Sequence, residues 1–398
     1  MKRTDGLSKR SVLVTNVLPP YRLPAFEALS RMPNIELHVW LMAQSETGRK
    51  WPTTFENFDV EIFSDIGGVI HFNPGMLWRL GREPVDTVIL GGVDSVTTIV
   101  AAILLKIRQV PIIFWVEDTD QQTYRLRQLL EPAIAWVLRL SSAVVVPGRG
   151  ATDFVTRLGV SQNSIFVAPN SVSPERFAPV TPLGKEALRR KLQLPEGRLC
   201  LCVGQLIHRK GMVELITAFK SVLRQLPEAC LVVVGDGALQ RRLMEGVASD
   251  PASERRIRFV GHCPEESLPE YYAASDLFVF PTLSDAWGLV LNEAMSTGLA
   301  CVCSQRAGAS LDLIEDGITG LLWKPDQGEP LEQAISRLLR DDHLRNALGE
   351  NARARIISNF TPAHQAQGMA RAIFDVSDNL LKVTSRLRPR ARSHTRKG

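Results

Sequence analysis

No apolar run in this 398-residue chain is long enough to cross a bilayer. The longest, Val96 to Leu105, ends at Lys106 and Arg108, well short of the ~20 residues a spanning helix requires. Cysteine is scarce: there are six, all in the second half, and none in the CxxC spacing of a zinc site. Cys200/Cys202 and Cys301/Cys303 lie two apart in apolar runs, so each pair shares one face of a strand, a poor geometry for a disulfide. The expectation is buried free thiols in a reducing cytoplasm. SVLVTNV breaks at Pro19-Pro20, so a first strand is expected there rather than a signal peptide. A soluble or peripheral protein is expected.

An excess of one charge is lacking too, once its location is considered. The chain carries +5, but the segment after residue 381 holds seven basic residues and no acid, which leaves the rest at −2. The folded body therefore offers no basic surface for nucleic acid, and none is expected as a partner. With 45% hydrophobic and 22% charged residues, the composition is that of ordinary globular domains, and the length suits two.

What is present is alternation. Val/Ile/Leu-rich runs at Ser11–Asn16, Ile35–Trp40, Val85–Leu90, Ile112–Val116, Ala143–Val146 and Ile165–Val167 alternate with helical patterns. Runs apolar at every position suit a parallel sheet covered on both faces. Prolines at 174, 179, 182 and 195 suggest a linker, after which the alternation restarts at Leu199–Val203 and continues to Ala300–Cys303. A helical region follows from Leu331 to about Leu381, broken near Phe360-Thr361-Pro362. The expected fold class is α/β: a Rossmann-like domain over 1–172, a linker over 173–197 and a second Rossmann-like domain over 198–362. A last helix over 363–381 and a basic disordered tail over 382–398 complete it. Two such domains leave a cleft between the carboxyl ends of their strands.

Three segments of the second half concentrate polar chemistry. In Pro281–Gly298, PTLSDAWGLVLNEAMSTG, Asp285 precedes a helix and Glu293 lies within it. The helix start at Gly288 and Leu289 offers free N–H groups to an anion. Asp285 or Ser284 is equally placed to cap the helix, with Glu293 on its surface. In Val203–Gly211, VGQLIHRKG, His208, Arg209 and Lys210 stand at a helix start, suited to a phosphate or to plain solvation. VVVGDGAL, Val232–Leu239, is a strand, a glycine turn and a helix, but it does not complete a GxGxxG pattern.

Together with RFVGH (Arg258–His262), AGASLDLIEDGITGLL (Ala307–Leu322) and APNSVSPERF (Ala168–Phe177), these segments resemble retaining glycosyltransferases of family 4. The likeness is dense from Leu199 to Lys324. It implies the GT-B fold, two Rossmann-like domains facing across a cleft, and transfer of a hexosyl group from a UDP- or GDP-sugar to an acceptor hydroxyl. It also implies that the family's paired acids fall on Asp285, facing the sugar, and Glu293, holding the ribose. Lys210 takes the place of the phosphate lysine. Gly288 and Leu289 meet the pyrophosphate or sugar, and Val260, Gly261 and His262 lie along the base. Gly237 and Trp287 join the same donor-binding set.

Four departures stand out. Asp285 replaces the usual Glu, and Gln205 the usual arginine, for which Arg209 or His208 would compensate. Glu117 of FWVEDTD occupies the place of a histidine many relatives carry and is taken as a third catalytic candidate beside Asp285 and Lys210. Leu18-Pro19-Pro20-Tyr21-Arg22 replaces a glycine-rich loop, leaving Arg22 either a phosphate ligand or a surface residue.

The resemblance implies no metal and no cofactor beyond the donor. The acceptor is expected to be a glycan, a lipid-linked molecule or a small molecule, in polysaccharide or glycolipid biosynthesis. A non-catalytic nucleotide-sugar or glycan-binding protein, or a GT-B epimerase, is the alternative. Within Gln122–Leu140, Leu129, Leu130 and Trp136 mix with Arg125, Arg127 and Arg139, a pattern for packing on the sheet or for resting on anionic lipid at the inner face of the membrane. The basic tail would add an electrostatic anchor.

Overall fold

The computed structural model describes residues 8–44, 58–66, 71–93, 95–120 and 125–387. Its first body opens with β1 (Lys9–Thr15), α1 (Leu23–Ser30), β2 (Ile35–Leu41) and β3 (Asp59–Ile62). There follow α2 (Pro74–Leu80), β4 (Thr87–Gly91), α3 (Val96–Ile107) and β5 (Ile112–Trp115). α4 (Arg125–Leu138), β6 (Ala143–Val146), α5 (Arg149–Arg157) and β7 (Ile165–Val167) complete it. The strands pair in parallel in the order β3-β2-β1-β4-β5-β6-β7.

The second body runs through α6 (Pro182–Lys191), β8 (Arg198–Val203), α7 (Met212–Gln225), β9 (Ala229–Val234), α8 (Gln240–Ala248) and α9 (Pro251–Arg256). β10 (Ile257–Gly261), α10 (Leu268–Ala274), β11 (Leu277–Phe280), α11 (Leu289–Ser296) and β12 (Ala300–Ser304) come next. α12 (Ser310–Leu313), β13 (Leu321–Trp323), α13 (Leu331–Arg340) and α14 (Asp342–Asn359) close it, and α15 (Pro362–Leu387) ends the described chain. Its sheet is again parallel, ordered β10-β9-β8-β11-β12-β13. Two doubly wound parallel sheets are the architecture that the alternation predicts.

Each sheet is buried on both faces, which is why its strands are apolar at successive positions. Cys200 and Cys202 lie on one face of the second sheet and Cys301 and Cys303 on the other. All six thiols are free, and only Cys263 is not buried.

The sequence reading passes over several elements. β3, DVEI, is an edge strand whose side chains are not buried, so no apolar run marks it. The stretch 173–197, read as a linker, contains α6, which starts on Pro182 with Thr181 capping Gly184 N–H and packs against α10. Proline at a first helical turn is compatible with a helix, and here it marks the start rather than a break. The long carboxy-terminal helical region is interrupted at Asp341 as well as at Phe360.

α15 returns to the first body. Ala366, Met369, Ala370 and Ile373 join the core beneath Phe26, Ile89 and Trp115. The helix continues to Leu387, beyond residue 381 where the sequence reading starts a disordered tail, and residues 388–398 lie outside the described part. The chain thus passes between the bodies twice. The two passages touch, because Ser171 Oγ donates to Gln365 Oε1 at 2.7 Å inside the protein. Among the described residues, no helix is long and apolar enough to cross a membrane.

Candidate functional site

In the second sheet the strand order reverses between β8 and β11, and the loops after these strands carry the candidate residues. Open α/β sheets bind ligands at such a reversal. The two loops are sewn together by backbone. Arg209 O accepts from Leu283 N at 2.8 Å and from the Thr282 hydroxyl at 3.0 Å, while the Arg209 guanidinium donates to Ser284 O at 3.3 Å. Arg209, expected to stand in for a missing phosphate cation, therefore holds the opposite loop. Gln205 and His208 are exposed.

These ties bring Lys210 and Asp285 together. Lys210 Nζ donates to Asp285 Oδ2, and both side chains are mostly shielded, at 14% and 13% exposure. The ammonium also stands 5.9 Å from the Phe280 ring centroid. Asp285 is not a helix cap: α11 begins at Gly288 without any side-chain cap. Its backbone is fixed instead by Gly308 N donating to Asp285 O at 3.0 Å. Gly288 has φ +99°, and a Cβ there would overlap the Phe280 ring, so only glycine allows this helix start beside the ion pair.

One and a half turns into α11 lies Glu293. Its Oε2 accepts from Tyr272 OH at 2.6 Å. Burial pushes the carboxyl up to about 7, while the tyrosine bond and Arg176 pull the other way and Glu265 adds to the rise. Arg176 and Glu265 form their own pair at 2.6 Å, joining the segment after β7 to the loop after β10. Tyr272 itself is fully buried, and burial next to Glu293 holds its phenol well above the ordinary range. The sequence reading gives Glu293 no protein partner and leaves Tyr272 unmarked. A buried tyrosine needs an acceptor, but nothing local says which.

The remaining expected donor residues scatter around this centre. Gly261 O accepts from Gly235 N at 2.8 Å, aligning the end of β10 with the glycine turn that carries Gly237. Val260 is half-buried and His262 exposed beside it, and Leu289 is half-buried at the start of α11. Trp287 is buried, at 6% exposure, and its indole N–H donates to Asn292 Oδ1 at 2.9 Å. Asn292 passes the contact on, donating to Asn170 O at 3.1 Å. Trp287 therefore holds the loop and the junction between the bodies.

That junction sets the carboxyl edges of the two sheets face to face. Gly148, directly after β6, packs so closely on Trp287 that a Cβ would come within 2.9 Å of its ring. Arg149 N, the first N–H of α5, donates to the Asp312 carboxylate at 3.0 and 3.2 Å. On the first body's edge stands a second pair: Arg22 NH2 bonds Glu117 Oε2 at 2.5 Å and NH1 donates to Thr15 Oγ1 at 3.3 Å. The guanidinium also lies over Trp115 at 4.5 Å. Arg22, 17% exposed, is thus not a plain surface residue. β1, β4 and β5 are neighbours in the sheet, so this pair sits at the first body's own order reversal.

Two Rossmann-like bodies with facing carboxyl edges define the GT-B class of fold, here with an ion pair at each order reversal. Comparison with known proteins narrows this. Residues 184–355 match the family model described as glycosyl transferases group 1. The chain is 27% identical over 305 residues to 2-deoxystreptamine glucosyltransferase of Streptomyces kanamyceticus, covering 76% of this chain and 75% of that one. It is 30% identical over 237 residues to sulfoquinovosyl transferase SQD2 of Arabidopsis thaliana, covering 58% of this chain but 44% of the relative. An Escherichia coli galactosyltransferase acting on GlcNAc-diphosphoundecaprenol is 30% identical over 210 residues, 52% of this chain and 53% of that one. Against the second and third of these, the match spans about half the relative's length.

Solved structures confirm the fold over nearly the whole chain. Anabaena HepE, in complex with UDP and glucose, superposes with a TM-score of 0.71 at 18% identity, covering 95% of this chain and 100% of that one. The lipopolysaccharide glycosyltransferase WaaG gives 0.66 at 19% identity, covering 90% and 98%. The fold is GT-B, and the matches support a group 1 glycosyltransferase.

Proposed function

We propose that this chain is a retaining hexosyltransferase of family 4 that works without a metal ion. Its donor is a nucleotide diphosphosugar, linked to UDP or GDP, and its acceptor a hydroxyl of a glycan, a lipid-linked molecule or a small molecule. Its setting is polysaccharide or glycolipid biosynthesis in the cytoplasm. The observation that carries the reading is the shielded Lys210–Asp285 pair beside the start of α11, opposite the edge that bears Arg22 and Glu117. The curated relatives named above are glycosyl transferases by name, and one solved neighbour was crystallised with UDP and glucose.

The difficult step is expulsion of a diphosphate from a cation-like sugar. The donor's diphosphate displaces Asp285 from Lys210, and the ammonium with the first N–H groups of α11 at Gly288 and Leu289 neutralises the growing negative charge. Asp285, released, stands beside the anomeric carbon as positive charge develops there. The anomeric C–O bond breaks with its electron pair leaving on the diphosphate. The acceptor oxygen bonds on the same face, and its proton passes to the departing diphosphate. Glu293 takes the ribose hydroxyls, and Val260, Gly261 and His262 flank the base.

Calorimetry with UDP-, GDP- and ADP-hexoses, followed by turnover of whichever binds, tests the reading. Binding plus slow donor hydrolysis or transfer supports it. Binding without any turnover favours a non-catalytic binder, isomerised sugar nucleotide without acceptor favours an epimerase, and no binding by any of the three removes the donor site.

A further inference from the structure

Away from both ion pairs, the segment between β3 and α2 brings a carboxylate against an imidazole. His71 Nδ1 lies 2.6 Å from Asp65 Oδ2, and both side chains are mostly shielded, at 17% and 13% exposure. A carboxylate oxygen only accepts, so Nδ1 carries the proton and Nε2 of the neutral ring is left as an acceptor. Nε2 has no partner among the described residues and is not closed off from solvent.

The pair stands on a rigid footing. Asn73, fully buried, donates from Nδ2 to Met42 O at 2.8 Å and to Ser64 O at 3.0 Å, which ties this segment to the chain leaving β2. Thr97, also fully buried, donates to His71 O from its backbone N–H at 3.2 Å and from its hydroxyl at 3.0 Å. Met42 follows β2 and Thr97 lies in the first turn of α3 after β4. Asp65 and His71 therefore sit on the carboxyl edge of the first sheet, the edge that faces the second body. Here His71 is held at φ +44°, a left-handed backbone that a β-carbon disfavours and that glycine or asparagine takes at lower cost. The turn does not need the ring to close: Ile66 N–H donates to Phe72 O at 3.0 Å, and Phe72 N–H to Asp65 Oδ1 at 2.9 Å. Local folding thus gives no reason for an imidazole at this position, and strain of this kind gathers at functional sites.

The chemistry selects the ligand. A neutral ring nitrogen takes a hydrogen bond from a hydroxyl, whereas the Asp65 carboxylate behind it repels a phosphate or an acidic sugar. Ile66, 70% exposed in the same turn, offers an apolar surface suited to the C–H face of a sugar ring. We propose that His71 Nε2 recognises a neutral hexopyranoside acceptor by accepting from one of its non-reacting hydroxyls, with Asp65 as the positioning residue that fixes the ring tautomer. The inference rests on the glycosyl-transfer reading and narrows its acceptor. The reacting hydroxyl still gives its proton to the departing diphosphate, so His71 holds the acceptor and moves no proton.

The test has a binding arm and a kinetic arm. Histidine ring 1H–15N spectra of the full chain are followed as methyl α-D-gluco-, galacto- and mannopyranoside are added, with His71→Asn identifying the His71 signals by their loss. One glycoside should shift His71 Nε2, which should be unprotonated in the unmodified chain and partly protonated in Asp65→Ala. His71→Asn suits the left-handed backbone, so it should keep its thermal midpoint and its donor affinity by calorimetry. Its KM for that glycoside should rise by about tenfold, the size of one lost hydrogen bond. No shift at His71 with any of the three, Nε2 protonated in the unmodified chain, or an unchanged KM each overturns the proposal. A chain that turns over no donor removes the transferase reading instead, and the His71 shift still decides whether this edge binds a sugar.

Discussion

The hydroxyl of Tyr272 donates a 2.6 Å hydrogen bond to Glu293 Oε2, tying α10 to the functional face of α11. The bond holds a buried carboxylate ready while lowering the proton affinity that burial raises. The tyrosine thus takes one acceptor position of the carboxylate that, in the proposed complex, receives ribose hydroxyls.

A pH dependence follows. Glu293 titrates near 4.5 when unfolded and at about 7 in the folded chain. Between those values the native state keeps a proton that the unfolded state has released, so this group's contribution to stability falls as pH rises from about 4.5 to about 7. Thermal melts from about pH 5 to about pH 8 should show a shallower decline for Glu293→Gln than for the unmodified chain. Tyr272→Phe removes the bond that favours ionisation and should move the midpoint higher. Superimposable profiles for all three proteins would refute the assignment.

In the proposed reaction Lys210 is the principal cation for the leaving diphosphate. Lys210→Ala should lower kcat by about a hundredfold, equivalent to about 3 kcal/mol of barrier, as for loss of a single oxyanion donor. Steady-state rates on the best donor decide this, and an unchanged kcat excludes the role.

Two glycines should respond in opposite directions. Gly288→Ala must fit a side chain against Phe280 at φ +99° and should cost about 1–3 kcal/mol of stability together with donor affinity. Gly246 lies inside α8, with open space where a Cβ would go. Gly246→Ala should therefore gain up to about 1 kcal/mol. Denaturant titration of both variants measures the contrast.

Glu117 belongs to the other body, bound to Arg22 at 2.5 Å. Glu117→Gln should lower kcat by about tenfold or more, at the size of general acid–base or positioning effects. The affinity for free nucleoside diphosphate should stay unchanged, because the proposed nucleotide site lies in the second body. A parallel loss of both would place Glu117 in the fold rather than the reaction.

The strands were legible because parallel sheets buried on both faces write continuous Val/Ile/Leu runs, as in LCLCV and AVVV. β3 was not, since an exposed edge needs no such run. The loops of the second body could be read from Lys210, Asp285 and Glu293 because a short glycine-containing turn fixes each to a strand or helix end. The pairings between distant side chains could not. Arg22 and Glu117 are 95 positions apart, and Arg149 and Asp312 are 163 apart. Such pairs depend on how strands are ordered and how bodies meet, and no local pattern encodes either.

The paired passages of chain carry a mechanical consequence. Ser171 and Gln365 bind one another where the chain leaves the first body and where it comes back. Two tethers side by side favour a swing about the line through them over twisting or sliding. Any opening would then be widest furthest from Ser171 and Gln365, and the proposed donor would enter from that side.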